Sequence, residues 1–423
     1  MSLEDYRSDC TVCSRCSYCK FIPFEQIKSS RFARACPSTE DNGFHAYSLG
    51  GRLSVALSLL ESRIEYNQAL KDIVWKCQMD GACDVSNKIC RYNVEGMEVL
   101  REMRLDLVEK GQTLTQHQQV LDCLHKEHNM VNKSASARGQ WAAGLGVKDL
   151  TKEKAQVVFH AGCRYSYDEG LQNTARKAVS ILKNAGVDIG IMGQGEFCCG
   201  GRANQWGYKK EEEGLAQRNL KAWAKAGVKI VVTPCSECYY SFKRLYPEAG
   251  SQIEVLHVVE YLERLIKDGT IKLTKAVPLT VTYHDPCHLG RLGEPYVAWK
   301  GKRKKIYGQI PVWDPPKPRY IGALGIYDAP RNVLKSIPGL KLVEMERIRE
   351  YAWCCGAGGG VLEAYPEFAQ STAKERIEEA ASTGAEILVS ACPWCERNFK
   401  DTVSHTGQKM QVMDVIDLVA QSM

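Results

Sequence analysis

The sequence is notable first for what it lacks. It contains no run of 18 apolar residues, so no segment is expected to span a membrane. Its N-terminus, MSLEDYRSDC, has neither a basic segment nor an apolar stretch, so no secretory signal is expected. No G-x-G-x-x-G follows a strand-like run and no Walker motif occurs, which argues against flavin or nicotinamide bound by this chain itself. A formal charge of +6 with the basic residues scattered offers no basic face for nucleic acid. Metal-bound cysteines would be thiolates and make the true balance less basic still. The 423 residues, 44% of them hydrophobic, suffice for two or three domains with sizeable cores, so disulfides are not needed for stability.

What the chain does have is 19 cysteines. In a large chain without a secretory signal, that number points to metal binding in a reducing cytoplasm. Eight lie in residues 1–100, at Cys10, Cys13, Cys16, Cys19, Cys36, Cys77, Cys83 and Cys90. Residues 101–155 hold only Cys123 and read as a helical connector with a polar linker; its thiol reads as packed and free. The other ten fall in residues 156–423, which are an internal repeat. VVFHAGC (to Cys163) matches VTYHDPC (to Cys287). EFCCGG, with Cys198 and Cys199, matches AWCCGAGGG, with Cys354 and Cys355. VTPCSEC, with Cys235 and Cys238, matches VSACPWC, with Cys392 and Cys395. Each half therefore runs Cys, Cys-Cys-Gly, Cys-x-x-Cys, with spacings of 34 and 35 residues in the first half and 66 and 36 in the second.

Short β-rich runs at Val157–His160, Val281–Tyr283, Ile230–Thr233 and Ile387–Ser390 lead into these cysteines. Helical patterns follow each Cys-Cys-Gly, as in GYKKEEEGLAQRNLKAWAKAG and PEFAQSTAKERIEEAASTG. The expectation is an α/β fold in each half, 156–275 and 276–423, preceded by a mostly helical domain over 1–100. The cysteines would sit where strands end and helices begin, the ligand position of open α/β sheets.

Adjacent cysteines do not readily occupy two corners of one tetrahedral zinc site, but can bind two irons of one polynuclear cluster. Five thiolates per half also exceed the four that zinc or a cubane needs. Iron–sulfur is favoured; a zinc-stabilised interaction protein is the distant alternative. The N-terminal zone follows the two-cluster ferredoxin pattern irregularly. Cys10, Cys13, Cys16 and Cys19 succeed one another at x₂ spacing, Cys36 precedes Pro37, and Asp80 and Asn87 stand where further cysteines are expected. Cys10 and Cys90 restore a total of eight, enough for two cubane [4Fe-4S] clusters. One cluster with spare thiols, or Asp80 as a ligand, are the alternatives.

These motifs resemble the cysteine-rich CCG domain family. The doubled arrangement is similar to the catalytic subunits of heterodisulfide reductases. The whole chain is similar, over nearly its full length, to the fused form of those subunits, which joins a ferredoxin-like domain to the doubled CCG domain. The resemblance implies two noncubane [4Fe-4S] clusters, one on Cys163, Cys198, Cys199, Cys235 and Cys238, the other on Cys287, Cys354, Cys355, Cys392 and Cys395. It implies electron transfer between them and the N-terminal cubanes, and cleavage of a mixed disulfide in the reductases. Other redox proteins are the implied partners: a flavin- or ferredoxin-containing donor and an acceptor. The family also includes pure relays, among them components of hydroxyacid oxidases and of assemblies reducing aromatic acyl-CoA esters. The irregular N-terminal zone is most similar to the last of these.

Two features stand apart. A segment of about thirty residues, near 293–325, with KGKRKK and WDPPKPRY, interrupts the second half and reads as a solvated excursion, a docking element or a lid. His160, His284 and His288 flank cluster cysteines and are expected to bond backbone or cluster sulfur rather than to act as proton donors.

Overall fold

The computed structural model describes residues 2–86, 88, 90, 92–308 and 310–423. Asn87, one of the two positions where a further cysteine is expected, lies outside them.

The first half builds a parallel sheet from β1 (Lys148–Asp149), β2 (Val157–Phe159), β3 (Ile189–Ile191), β4 (Ile230–Thr233) and β5 (Glu254–His257), ordered β1-β3-β2-β4-β5. In the second half, β6 (Thr280–Tyr283) is followed by a hairpin, β7 (Lys302–Ile306) and β8 (Ile310–Asp314). The chain then returns to the sheet as β9 (Lys341–Val343), β10 (Ile387–Ser390) and β11 (Gln411–Asp414), giving the parallel order β11-β10-β6-β9. The repeat seen in the sequence thus reappears as one strand order built twice. Val157 pairs with Ile230 where Val281 pairs with Ile387.

The central strands are short apolar runs with every residue of β2 and β10 buried, as sheets shielded on both faces require. The helical patterns expected after each Cys-Cys-Gly become Lys209–Lys225 and Pro366–Ala381. β1 falls in the stretch expected to be a helical connector. Only two residues long, it carries no periodic signal, and Leu150 beside it packs where Gly190 of β3 has no side chain. In each half the strand order reverses between the two central strands, β2/β4 and β6/β10. The crevice beyond the carboxyl ends of such a pair is where open α/β sheets bind ligands.

The inserted segment is not irregular throughout: β7 and β8 pair antiparallel from Lys302 opposite Asp314 to Ile306 opposite Ile310. It is pinned to the N-terminal region. Arg303 donates to the Ser8 carbonyl (3.3 Å), and the buried Lys317 ammonium lies between Asp9 (3.2 Å) and Glu95 (2.9 Å).

The N-terminal region is mainly short helices. Helix Leu49–Leu60 starts at Ser48, whose hydroxyl accepts from the Gly51 amide (3.2 Å), and buries Leu49, Leu53 and Ala56 along one face. Among the described residues, no helix is long and apolar enough to cross a membrane. The region docks on the second half by backbone contact. A Cβ on Gly359 would fall 2.2 Å from the Cys77 carbonyl oxygen, and one on Gly358 would fall 2.4 Å from that of Gln78. Arg104, from helix Gly96–Glu109, donates to the carbonyls of both Cys77 and Gly359 at 2.8 Å.

Gly359 also has φ +61°, so Gly359→Ala combines a left-handed backbone with a clash against main chain that cannot rotate away. We expect a loss of about 2–4 kcal/mol, seen as a fall of several degrees in the unfolding midpoint of anaerobic protein.

Candidate metal centres

The fold places the ten repeated cysteines at equivalent points. Cys163 lies in the short helix Gly162–Tyr167 just past β2, and Cys287 follows β6. Cys235 and Cys392 follow β4 and β10 in extended conformation and cap helices Ser236–Tyr240 and Pro393–Thr406. The Cys-Cys-Gly loops follow β3 and β9 and turn through Gly200 (φ +81°) and Gly356 (φ +90°). At Gly356 a Cβ would lie 2.2 Å from the Ala369 carbonyl, so the loop depends on glycine there.

Within each half the thiols touch in the same order. In the first half the contacts run Cys163, Cys198, Cys199, Cys238, Cys235. In the second they run Cys287, Cys354, Cys355, Cys395, Cys392. The two groups meet at Cys235 and Cys392, whose side chains are themselves in contact.

Burial and mutual contact stop these thiols from ionising together. Contact with Cys198 brings Cys163 down to about 7, and contacts with Cys354 and Cys395 bring Cys355 down to about 6. Their partners Cys198, Cys354, Cys238 and Cys395 are pushed up. Five thiolates per group, nine of the ten buried, therefore require compensating positive charge. Iron supplies it, and five sulfur donors in reach of one another suit a polynuclear cluster. A nitrogen of His284 also lies within 4.8 Å of the Cys355 and Cys395 sulfurs.

Buried arginines add fixed positive charge. Arg138 donates to the Cys163 sulfur from both terminal nitrogens (3.7 Å) and is paired with Glu196 at 2.8 Å. Arg104 is fully buried and, among the described residues, has no carboxylate partner: its donors go to the carbonyls of Gln205, Gly359, Val74, Trp75 and Cys77. A guanidinium buried among carbonyls alone is costly unless anions lie nearby. The thiols of the docked N-terminal region and of the second half are the available ones.

The eight N-terminal cysteines fall into two groups that meet at Cys19. Cys10 has Cys13 as its cysteine neighbour, and Cys13 has Cys16 and Cys90; Cys19 faces Cys36 first, then Cys13 and Cys16. Cys83 faces Cys36 and Cys77. Asp80, the candidate oxygen ligand, is buried and ion-paired with Arg291 at 2.9 Å. Cys123 stands apart on helix Thr115–Glu127, its thiol directed at Asn129 Oδ1 (3.7 Å).

The three flanking histidines differ. His288 Nδ1 contacts the Cys287 sulfur (3.2 Å) and its Nε2 meets Gln205 (2.6 Å). His284 Nδ1 accepts from Arg376 Nε (3.2 Å), which puts the hydrogen of the neutral ring on Nε2; burial holds the ring well below its usual range, at about 3. His160 sits 3.9 Å from Glu196, edge-on to Phe242 and Trp223. Sequence reasoning missed Arg104, Arg138, Glu196 and Arg291. Arg104 and Arg138 are distant in the chain from the cysteines they serve; Glu196 and Arg291 stand two and four residues from Cys198 and Cys287, but a lone charged residue carries no spacing signal.

Replacing Arg104 tests its electrostatic role. At an effective dielectric of about 20 and roughly 10 Å, one charge is worth on the order of 1–2 kcal/mol. Arg104→Met should therefore make the nearest cluster harder to reduce by roughly 50–100 mV, while Arg104→Lys keeps most of the potential. Potentiometric titration followed by EPR reads both.

A model of the CCG cysteine-rich domain matches residues 157–243 and 319–400. One component of a dihydromethanophenazine:CoB–CoM heterodisulfide reductase from Methanosarcina mazei is 34% identical over 385 residues, which cover 89% of this chain and 84% of that protein. An EtfAB:quinone oxidoreductase from Syntrophomonas wolfei is 27% identical over 86% of this chain but 48% of its own length. A probable iron–sulfur-binding oxidoreductase from Bacillus subtilis is 28% identical over 92% of this chain and 52% of its own. The same five-cysteine geometry built twice, with this near full-length similarity, leads to one conclusion: the chain belongs to the heterodisulfide reductase family and is an iron–sulfur oxidoreductase subunit.

Proposed function

We propose that the chain is an electron-transfer subunit of a cytoplasmic redox complex, passing electrons between two N-terminal cubane clusters and two noncubane [4Fe-4S] clusters in the CCG halves. The observation that carries this reading is the contact order of the thiols, repeated in both halves and joined through Cys235 and Cys392. Two adjacent centres could deliver electrons in pairs, as cleavage of a disulfide requires. The backbone contact of Cys77 and Gln78 with Gly358 and Gly359 supports electron entry through the second half. The clusters would supply the redox chemistry. The chain's own residues hold them, exclude water and balance their charge.

The relatives' names suggest a heterodisulfide as acceptor; a flavin- or ferredoxin-containing protein would be the donor at the N-terminal end. Burial favours a second reading. Nine of the ten CCG cysteines are buried, Cys287 being half-buried, so a disulfide has little access to sulfur, which suits a relay feeding a partner that does the chemistry.

Iron, acid-labile sulfide and zinc measured on chain purified without oxygen test the shared core of both readings. Four four-iron clusters give about sixteen iron and sixteen sulfide per chain, and Cys355→Ala should lower each by about four. Zinc without iron or sulfide would reject both readings. Turnover with mixed disulfides then separates them: none from a fully loaded chain leaves the relay.

A further inference from the structure

The N-terminal cysteines divide unevenly. Cys10 and Cys90, the two extra cysteines that bring the total to eight, both group with Cys13 rather than with Cys77 and Cys83. The other set has Cys36, Cys77 and Cys83 around Asp80, with Cys19 on its border toward Cys13 and Cys16, and its geometry is built. Ser38, two residues after Cys36, donates its hydroxyl to the carbonyl of Lys76, next to Cys77 (2.5 Å). Buried Arg52 clamps the same two groups, donating to the Lys76 carbonyl (2.8 Å) and the Ser38 hydroxyl (3.2 Å). Thr39 donates to the Cys36 sulfur (3.3 Å). Between Cys77 and Cys83 the chain turns through two positive-φ residues, Met79 (+53°) and Gly81 (+75°), on either side of Asp80.

Asp80 stands at the second ligand position of this run, three residues from each cysteine. Its carboxylate is buried. Oδ2 is held by Arg291 (2.9 Å), while Oδ1, among the described residues, has one long contact, from the Ala82 amide (3.3 Å). Arg291 is itself fixed, donating to the carbonyls of Asp80 (2.5 Å), Glu350 (2.9 Å) and Ala352 (2.6 Å). An ionised carboxylate offers about four lone-pair sites, so the pairing with Arg291 orients the group and leaves capacity for a metal.

We infer that Cys36, Cys77 and Cys83 hold a [4Fe-4S] cluster by three thiolates, with the Asp80 carboxylate at its fourth iron, so that this iron is exchangeable. The inference rests on the iron–sulfur reading of the N-terminal region. A hard oxygen donor holds iron less firmly than thiolate does. One-electron oxidation by ferricyanide then converts [4Fe-4S]²⁺ into [3Fe-4S]⁺ and free Fe²⁺. The electron passes to ferricyanide, and the carboxylate stays on the chain, paired with Arg291. Reduction in the presence of Fe²⁺ reverses the step.

The test uses the full chain, loaded anaerobically and with iron and sulfide quantified first. In the wild type, ferricyanide should release about one chelatable Fe²⁺ per chain and produce the near-isotropic EPR signal of a three-iron cluster. Dithionite with added Fe²⁺ should remove that signal. Asp80→Cys should abolish both release and signal at unchanged iron content, whereas Cys123→Ser, at the thiol that stands apart on helix Thr115–Glu127, should behave as wild type. The inference is overturned by a fully loaded wild type that keeps its four-iron spectrum, by an Asp80→Cys protein that gives the same signal, or by a three-iron signal that Fe²⁺ and reductant cannot remove. The wild-type release and refilling stand on their own should Asp80→Cys fail to fold. A chain that takes up no iron and sulfide fails at the earlier reading, and the metal analysis shows this before any oxidation.

Discussion

Thiolates can be gathered in a protein interior only if positive charge is buried with them, and much of this structure answers that constraint. The contact order of each five-cysteine group lets only some of its thiols ionise, the neighbours remaining protonated. Around them lie guanidinium groups that water does not reach. Arg138 is balanced by Glu196, and Arg291 by Asp80. Arg104 has carbonyl acceptors only and lies where the N-terminal region meets the second half. Leaving such a cation without an anion would cost several kcal/mol, so anionic clusters on either side are its natural counterpart.

Duplication of the fold did not duplicate its electrostatics. The first Cys-x-x-Cys encloses Ser236 and Glu237, the second Pro393 and Trp394. Glu237 is buried, and burial holds its carboxyl well above the usual range; it accepts from Gln205 (2.7 Å), which also meets His288. Trp394 instead lies between the guanidinium groups of Arg164 and Arg202, at 4.2 and 4.1 Å from its ring centre. Equivalent sulfur positions thus stand in unlike fields, and field is one of the levers that sets a cluster's potential. The N-terminal region meets the second half backbone to backbone, through a glycine run that the first half has in shorter form, and meets the first half by side chains, as where Glu98 pairs with Arg244 at 2.5 Å.

The legible parts were those with a period or a spacing. The strands before Cys163, Cys235, Cys287 and Cys392 read as short β-branched runs, and the helices after each Cys-Cys-Gly as amphipathic repeats; both stand within a residue or two of their expected places. β1 and the β7–β8 hairpin were not legible. The first is two residues long, and the second is a run of lysines whose pairing depends on a turn and on anchorage to Asp9 and Glu95. The site shows the same division. Cysteines announce themselves by spacing, whereas Arg104 and Arg138 reach theirs from distant segments, and Arg291, near Cys287 in the chain, reaches Asp80 from 211 residues away.

By itself, then, the sequence determined the ligand type, the twofold repeat and the α/β character of each half, because these reside in residue identity and local periodicity. Tertiary structure alone decided that the two five-cysteine groups touch at Cys235 and Cys392 and that the N-terminal region docks on the second half. It alone brought Cys36, Cys77 and Cys83 together, with Asp80 facing Arg291. The physical reason is range. A strand or a cap forms from neighbours in sequence, while charge balance in a buried site is met by whichever side chains the fold brings within a few ångströms.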